Sequence, residues 1–305
     1  MRVEVYLPLL ISAVLDRLAP WLTRHLPPAS ASRLLAVAGV LCGASTVLGL
    51  ALLAWSSVVE IPQVAALGHW SIPLWERDDP VPDAVGGVAG VALVVLAIRL
   101  VHNVRSRYLA ARAVRGFVRG QGPAPGGLIL VDDPTPLAFA VPFDQGRIVV
   151  STGMLRALTV QEQRALFAHE RAHLRFRHHT YRTIVETAAA ADPPLRRLPA
   201  AIRYATERWA DEVAADTVGD RRLAARALTR AALARGSQES SRHELDYGSR
   251  DVSDRVRHLL GPRPRQNPLA LAAIVILVAA TLISAVDAGS DIDRLLDKAT
   301  AQPHH

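Results

Sequence analysis

Cysteine and lysine are almost missing from this chain: Cys42 is the only cysteine and Lys298 the only lysine among 305 residues. A single cysteine allows neither a disulfide framework nor a cysteine-based metal site, and its position inside an apolar block makes it helix- or lipid-facing filler. Internal repeats are absent, which excludes solenoid and propeller arrays. No small-residue cleavage site follows the first apolar block, and Glu4 spoils the basic start that a signal peptide needs. With so little lysine, the net charge of +7 rests on arginine. Those arginines flank apolar blocks, a placement that suits anionic lipid headgroups and argues against direct nucleic-acid binding.

What the chain has in abundance is apolar sequence. Half of the residues are hydrophobic and the mean hydropathy is +0.19, with the apolar blocks gathered toward the two ends. Leu34 to Val59 and Pro268 to Val286 carry no charge and are each long enough to span a bilayer. Ala84 to Ile98 continues apolar past Arg99 through Val101, and Gly86, Gly87 and Gly90 at its start would let another helix approach closely. The first block, residues 5–22, is short and interrupted by Asp16 and Arg17. It spans if those two sit at the inner interface with Trp21 as the anchor.

Arginine placement sets the orientation. Arg17, Arg24 and Arg33 separate the first two blocks, six arginines from Arg99 to Arg119 follow the third, and Arg255, Arg257, Arg263 and Arg265 precede the last. The loop from Glu60 to Asp83 is acidic, as is the tail after Val286. The positive-inside rule therefore predicts a cytoplasmic middle domain, with the acidic loop and tail outside. Four spans with both termini outside satisfy this pattern.

The expected organisation is a multi-pass protein of the cell membrane. Residues 1–102 form the N-terminal transmembrane region, with spans about 5–22, 34–59 and 84–101. Residues 103–262 form a cytoplasmic domain, and residues 263–305 hold a final span (about 268–286) and a short acidic tail. The fold class is mainly α, with three or four transmembrane helices and an α+β zincin-like domain.

Within the middle domain, Asn103 to Arg119 reads as an amphipathic helix, broken by the Gly/Pro cluster from Gly120 to Gly127. Short β-rich runs follow at Leu128 to Val131, Leu137 to Val141 and Arg147 to Ser151, with Asp144-Gln145-Gly146 supporting a hairpin. Thr159 to Glu162 has the form of a capping box and opens a helix expected to run to about His178. Pro193, Pro194 and Pro199 interrupt the pattern before a second strong helix, from about Ala200 to Asp216, and Ala-rich helix continues to about Arg235.

The capped helix contains His169-Glu170-Arg171-Ala172-His173. Residues i and i+4 share a helix face, so both imidazoles can reach one metal ion, and Glu170 lies beside them as a base for a metal-activated water. On the second helix, Glu207 and Asp211 are again i and i+4. Glu207 can complete a His₂Glu zinc site while Asp211 holds the far nitrogen of a ligand histidine. Three protein ligands leave one position open, the mark of a catalytic and not a structural zinc. The bland alternative is two helices bearing ordinary solvated charges. Nine positions separate His178 from His169, about half a turn around a continuous helix, so His178 is expected to point away from the metal. Tyr247, His243 and Arg255 are each candidates for the oxyanion donor. The polar run Gly236 to His243 reads as an exposed loop.

With these residues, the chain resembles gluzincin-like membrane peptidases of the BlaR/MecR type. The segment Glu207-Arg208-Trp209-Ala210-Asp211-Glu212-Val213-Ala214 fits the ExxADxxA form shared with HtpX-type and CAAX-processing proteases. The resemblance implies that His169, His173 and Glu207 bind Zn2+, that Glu170 is the catalytic base and that Asp211 supports the ligands. It also implies a cytoplasmic protein substrate such as a winged-helix repressor. Only Asp287 to His305 follows the last span, where BlaR/MecR-type sensors carry a large extracellular domain, so the signal is expected to come from a separate sensor protein. Two other readings stay open: an HtpX-like quality-control protease, and a non-catalytic signalling scaffold.

Overall fold

A computed structural model describes residues 7–59, 61–68, 83–121, 125–143, 145–236 and 242–300. In chain order the helices are α1 (Leu7–His25), α2 (Pro28–Val59), α3 (Pro62–Gly68) and α4 (Asp83–Gly120). Strands β1 (Leu128–Val131), β2 (Ala138–Val141) and β3 (Arg147–Ser151) come next. Then follow α5 (Thr152–Ala157), α6 (Val160–Arg175), α7 (His178–Ala191), α8 (Leu198–Val218), α9 (Arg221–Gly236), α10 (Arg242–Leu260) and α11 (Pro268–Thr300). The protein is mainly helical with one small sheet, as its sequence predicts.

Among the described residues, three helices are long and apolar enough to cross a membrane: Pro28–Val59, Ala84–Gly120 and Pro268–Asp287. Outward-facing apolar side chains, such as Val91, Val94 and Ile98 on α4 and Ile276, Ile283 and Val286 on α11, are exposed. The amphipathic helix expected from Asn103 is not a separate element; it continues α4 without a break. Gly86 meets Leu53 and Ser57 of α2 so closely that no Cβ would fit, which is the close helix approach its residue type allows, whereas Gly87 faces no neighbour. Cys42 lies 3.8 Å from Thr281 and Gln266 bonds Ser30, so α2 and α11 run side by side in the same direction.

Helix α1 is not among the helices that meet the length and hydropathy needed for a span. Asp16 is not at an interface with lipid: it is buried, and its Oδ1 accepts the backbone N–H groups of Arg197 (2.6 Å) and Leu198 (3.0 Å) at the start of α8. Ser12 donates to Asp192 at 2.6 Å, and Arg208 donates to the carbonyl of Thr23. Polar residues that look like interruptions of a membrane segment therefore bind α1 to the helix that follows the proline-rich turn. The helices on either side of that turn also pack on the apolar part of α2, where Gly39 faces Leu198 of α8 and Gly43 faces Ala188 of α7.

The sheet has the order β1-β3-β2, with β1 parallel and β2 antiparallel to the central β3. Gln145 and Gly146 both take positive φ, 73° and 77°, in the turn of the β2–β3 hairpin; Asp144 lies outside the described residues. Because β3 is central, β2 has one edge free of sheet pairing, and that edge faces α6. Helix α6 begins at the predicted capping box: Thr159 accepts from the Glu162 amide, and the Glu162 carboxylate accepts from the Thr159 amide.

Candidate metal centre

Helices α6 and α8 lie against each other, and their facing sides bring together the residues that their spacing singled out. His169 Nε2 and His173 Nε2 are 3.1 Å apart. Glu207 places Oε2 3.3 Å from the first and Oε1 3.5 Å from the second. Four ligands around a tetrahedral zinc with bonds of 2.0–2.1 Å are separated by about 3.3–3.4 Å. The observed separations of 3.1–3.5 Å lie near that value, with Glu207 meeting the two histidines through different oxygens. These three residues could hold a metal ion with one atom each.

The three residues have partners on their far sides. His169 Nδ1 lies 3.0 Å from Asp211 Oδ1. Arg255, from α10, donates Nε to Asp211 Oδ2 at 2.7 Å and Nη2 to Oδ1 at 2.8 Å, and its Nη2 is 3.1 Å from Glu207. Arg255 thus bonds two carboxylates of the cluster and also lines the cleft described below. The side chains of Tyr247 and His243, the other two candidates for the oxyanion donor, lie outside the described residues, as does most of the run from Gly236 to His243.

Two residues near the centre were not legible from spacing. Arg182 on α7 donates to Glu207 at 2.6 Å and to Thr206 at 3.2 Å. No local signal in the sequence brings α7 to this place. His178 overturns the expectation that it points away. Helix α6 ends at Arg175, Arg177 takes the left-handed conformation (φ 51°, ψ 46°), and α7 starts in a new direction at His178. The chain thereby turns His178 back under the motif, with its Nδ1 3.0 Å from His173 Nδ1. Projection along a continuous helix fails because the helix is not continuous.

Electrostatics mark the centre as a place for positive charge. Burial alone would depress His169, but Asp211 and Glu207 outweigh it and push the imidazole up to about 10. Burial drives His173 the other way, to about 3, helped by the charge on His169 and opposed by Glu207. Burial would raise Glu207, yet the charges of Arg255 and His169 hold it well below the usual carboxylate range. Glu170 is 8% exposed, and burial raises its carboxyl. The Ala140 amide of β2 bonds to that carboxyl, so this edge of the sheet borders Glu170.

A cleft of about 330 Å³ lies over these groups, walled on one side by Ala138, Phe139 and Ala140 of β2 and on the other by His179 and Arg182.

Comparison with known proteins agrees with this geometry. Residues 105–192 match the model of Peptidase family M48. No curated protein and no solved structure matches the chain. The matched segment contains the sheet, the His169–His173 motif and α7, and it stops before Glu207. The family match and the three-ligand cluster together support a metallopeptidase, on a chain with three helices able to cross a membrane.

Proposed function

We propose that this protein is a membrane-bound zinc endopeptidase that cleaves a cytoplasmic protein at the cleft between β2 and α6. The observation that carries the reading is the cluster of His169, His173 and Glu207, close enough to share one cation, with Glu170 alongside. Two imidazoles and one carboxylate with a position left open are the donor set of a catalytic zinc. A zinc ion held there supplies Lewis acidity, polarising a carbonyl and making water acidic enough to react near neutral pH.

The remaining work falls to side chains. Glu170 is not a ligand in this arrangement; it takes the proton of the attacking water and returns it to the amine that leaves. A buried carboxyl with a raised pKa is a better base for this than an exposed one. Asp211 accepts the Nδ1 proton of His169, which leaves Nε2 as the ligand atom, and Arg255 keeps Asp211 in place. Substrate lies in the cleft beside β2, whose Ala140 amide bonds Glu170.

The BlaR/MecR-type motifs favour a single regulatory substrate, such as a winged-helix repressor. Purified protein in detergent should contain about one zinc per chain, and Ala at His169, His173 or Glu207 should remove it. Glu170→Gln should keep the zinc and lower peptide hydrolysis by about a hundredfold or more. Full zinc in all three ligand variants overturns the site. Comparison of new protein N-termini in cells with wild-type or Glu170→Gln protein tests the substrate. One cleaved regulator supports the proposal, and many unfolded membrane proteins support the quality-control alternative instead.

A further inference from the structure

His178 has no place in the scheme above, yet it is one of the largest fully buried side chains, at 0% exposure. Its ring lies 4.8 Å from the Trp209 ring and stacks at 6.1 Å on Phe176. Trp209 in turn carries the Arg33 guanidinium at 5.2 Å, so the wall behind His178 reaches the head of α2. Within this aromatic pocket His178 makes one polar contact among the described residues, Nδ1 to His173 Nδ1 at 3.0 Å, with the two rings nearly perpendicular at 89°. The other nitrogen, Nε2, is buried with no partner among the described residues.

One N–H···N bond between two imidazoles requires one donor and one acceptor. If His178 donated, His173 would accept at Nδ1 and carry its own proton on Nε2, the atom that faces His169 and Glu207. That proton would occupy the direction in which a cation must bind. If His178 accepts, the proton of His173 sits on Nδ1 and Nε2 presents a lone pair to the cluster. We infer that His178 is a positioning residue: it accepts from His173 Nδ1–H and so fixes His173 in the tautomer and ring orientation that bind metal.

The arrangement then has an internal symmetry of purpose. His169 is oriented by a carboxylate, Asp211, and His173 by a neutral imidazole. A second carboxylate behind His173 would add another buried negative charge beside Glu207, Asp211 and Glu170, whereas an imidazole accepts a proton bond without adding one. The orphaned Nε2–H of His178 is the cost of this choice, softened by the aromatic faces around it. The left-handed turn at Arg177 is what delivers the ring, and a non-glycine residue held there is a conformation the chain would not adopt without a compensating contact.

This inference rests on the reading of His173 as a metal ligand, and the test separates the two. The full chain is purified in detergent as wild type, His178→Asn and His178→Phe, and zinc affinity is measured by competition with a chromophoric chelator. Asparagine keeps an acceptor near the position of Nδ1; phenylalanine keeps the shape and removes it. The expected result is affinity about 10- to 100-fold weaker in His178→Phe and largely restored in His178→Asn. Wild-type affinity in a folded His178→Phe protein, or an equal loss in both variants, overturns the inference while leaving the metal site standing. A wild-type protein that binds no zinc overturns the site itself. Should the phenylalanine variant misfold, nitrogen NMR of ¹⁵N-histidine-labelled wild type decides: the zinc-loaded protein should show His178 protonated on Nε2, and protonation on Nδ1 overturns the inference.

Discussion

Arg255 grips Asp211 through two parallel hydrogen bonds, Nε to Oδ2 at 2.7 Å and Nη2 to Oδ1 at 2.8 Å. Both side chains are almost fully buried, and the same guanidinium reaches Glu207 at 3.1 Å. One cation thus serves two carboxylates, and it comes from α10, a helix outside the matched segment. Removing it leaves two buried negative charges with less compensation. Arg255→Ala is expected to cost about 3–5 kcal/mol, read as a lowered thermal midpoint in detergent. Pairing it with Asp211→Asn should recover part of the loss. An unchanged midpoint in Arg255→Ala would show that the pair adds nothing to stability.

The capping box at the start of α6 gives a pH-dependent prediction away from the metal centre. Burial would raise the Glu162 carboxyl, but the amide and hydroxyl of Thr159 together with Arg230 at 2.9 Å hold it below its usual range. A folded-state pKa below the unfolded value means that the stabilisation is fully present above the unfolded pKa near 4.5. It is lost as pH falls through the depressed folded value. Glu162→Gln should therefore lower the thermal midpoint at pH 7 and leave it closer to wild type at pH 4. Thr159→Ala should cost about 1 kcal/mol at neutral pH. A Glu162→Gln deficit that does not shrink in acid would assign the loss to packing and not to charge.

The contrast between α6 and its surroundings shows which parts of this protein can be read from local sequence. Thr159 and Glu162 announce the helix, and His169, Glu170 and His173 follow it in register, because caps and the i, i+4 relation are local properties of one helix. Glu207 and Asp211 are legible for the same reason. The failures lie where the chain changes direction. Arg177 adopts a left-handed conformation usually taken by glycine or asparagine, so nothing near it signals the break that brings His178 to His173. Arg182 meets Glu207 only because of that break. The parallel pairing of β1 with β3, which leaves β2 at the edge beside Glu170, is likewise a long-range choice that strand patterns do not contain.

Topology gives a further prediction, motivated by the arginine asymmetry across the spans. In cells whose Cys42 has been replaced by Ser, a cysteine at Ser71 should react with an impermeant reagent added outside, and one at Gln161 should not. A cysteine at Val3 separates the two readings of α1. Labelling there supports four spans, and protection supports three, with the N terminus on the side of the peptidase domain. Labelling at Gln161 would place the cleft outside and exclude a cytoplasmic substrate.

Asp16 makes the same helix that carries Glu207 depend on the first helix of the chain. The Arg197 cap position of α8 has no side-chain cap of its own, and Pro199 near the start lacks an N–H. Asp16 supplies the missing acceptor, taking both the Arg197 and Leu198 amides on one oxygen across a long sequence separation. A negative side chain at a helix N-terminus also complements the helix dipole. Substitution of a cap residue by alanine costs about 0.5–2 kcal/mol, and here the amides are buried by α1 and cannot turn to water instead. Asp16→Ala is therefore expected to fall at or above the upper end of that range, whereas Asp16→Asn, which keeps an oxygen acceptor, should lose much less. Arg17, exposed one position on, serves as the control, and Arg17→Ala should leave the midpoint unchanged. If α1 were only a membrane anchor, Asp16→Ala would remove a charge unfavourable to lipid and stabilise the protein. A raised midpoint would therefore refute the cap, and a lowered one with the Asn variant near wild type would establish it.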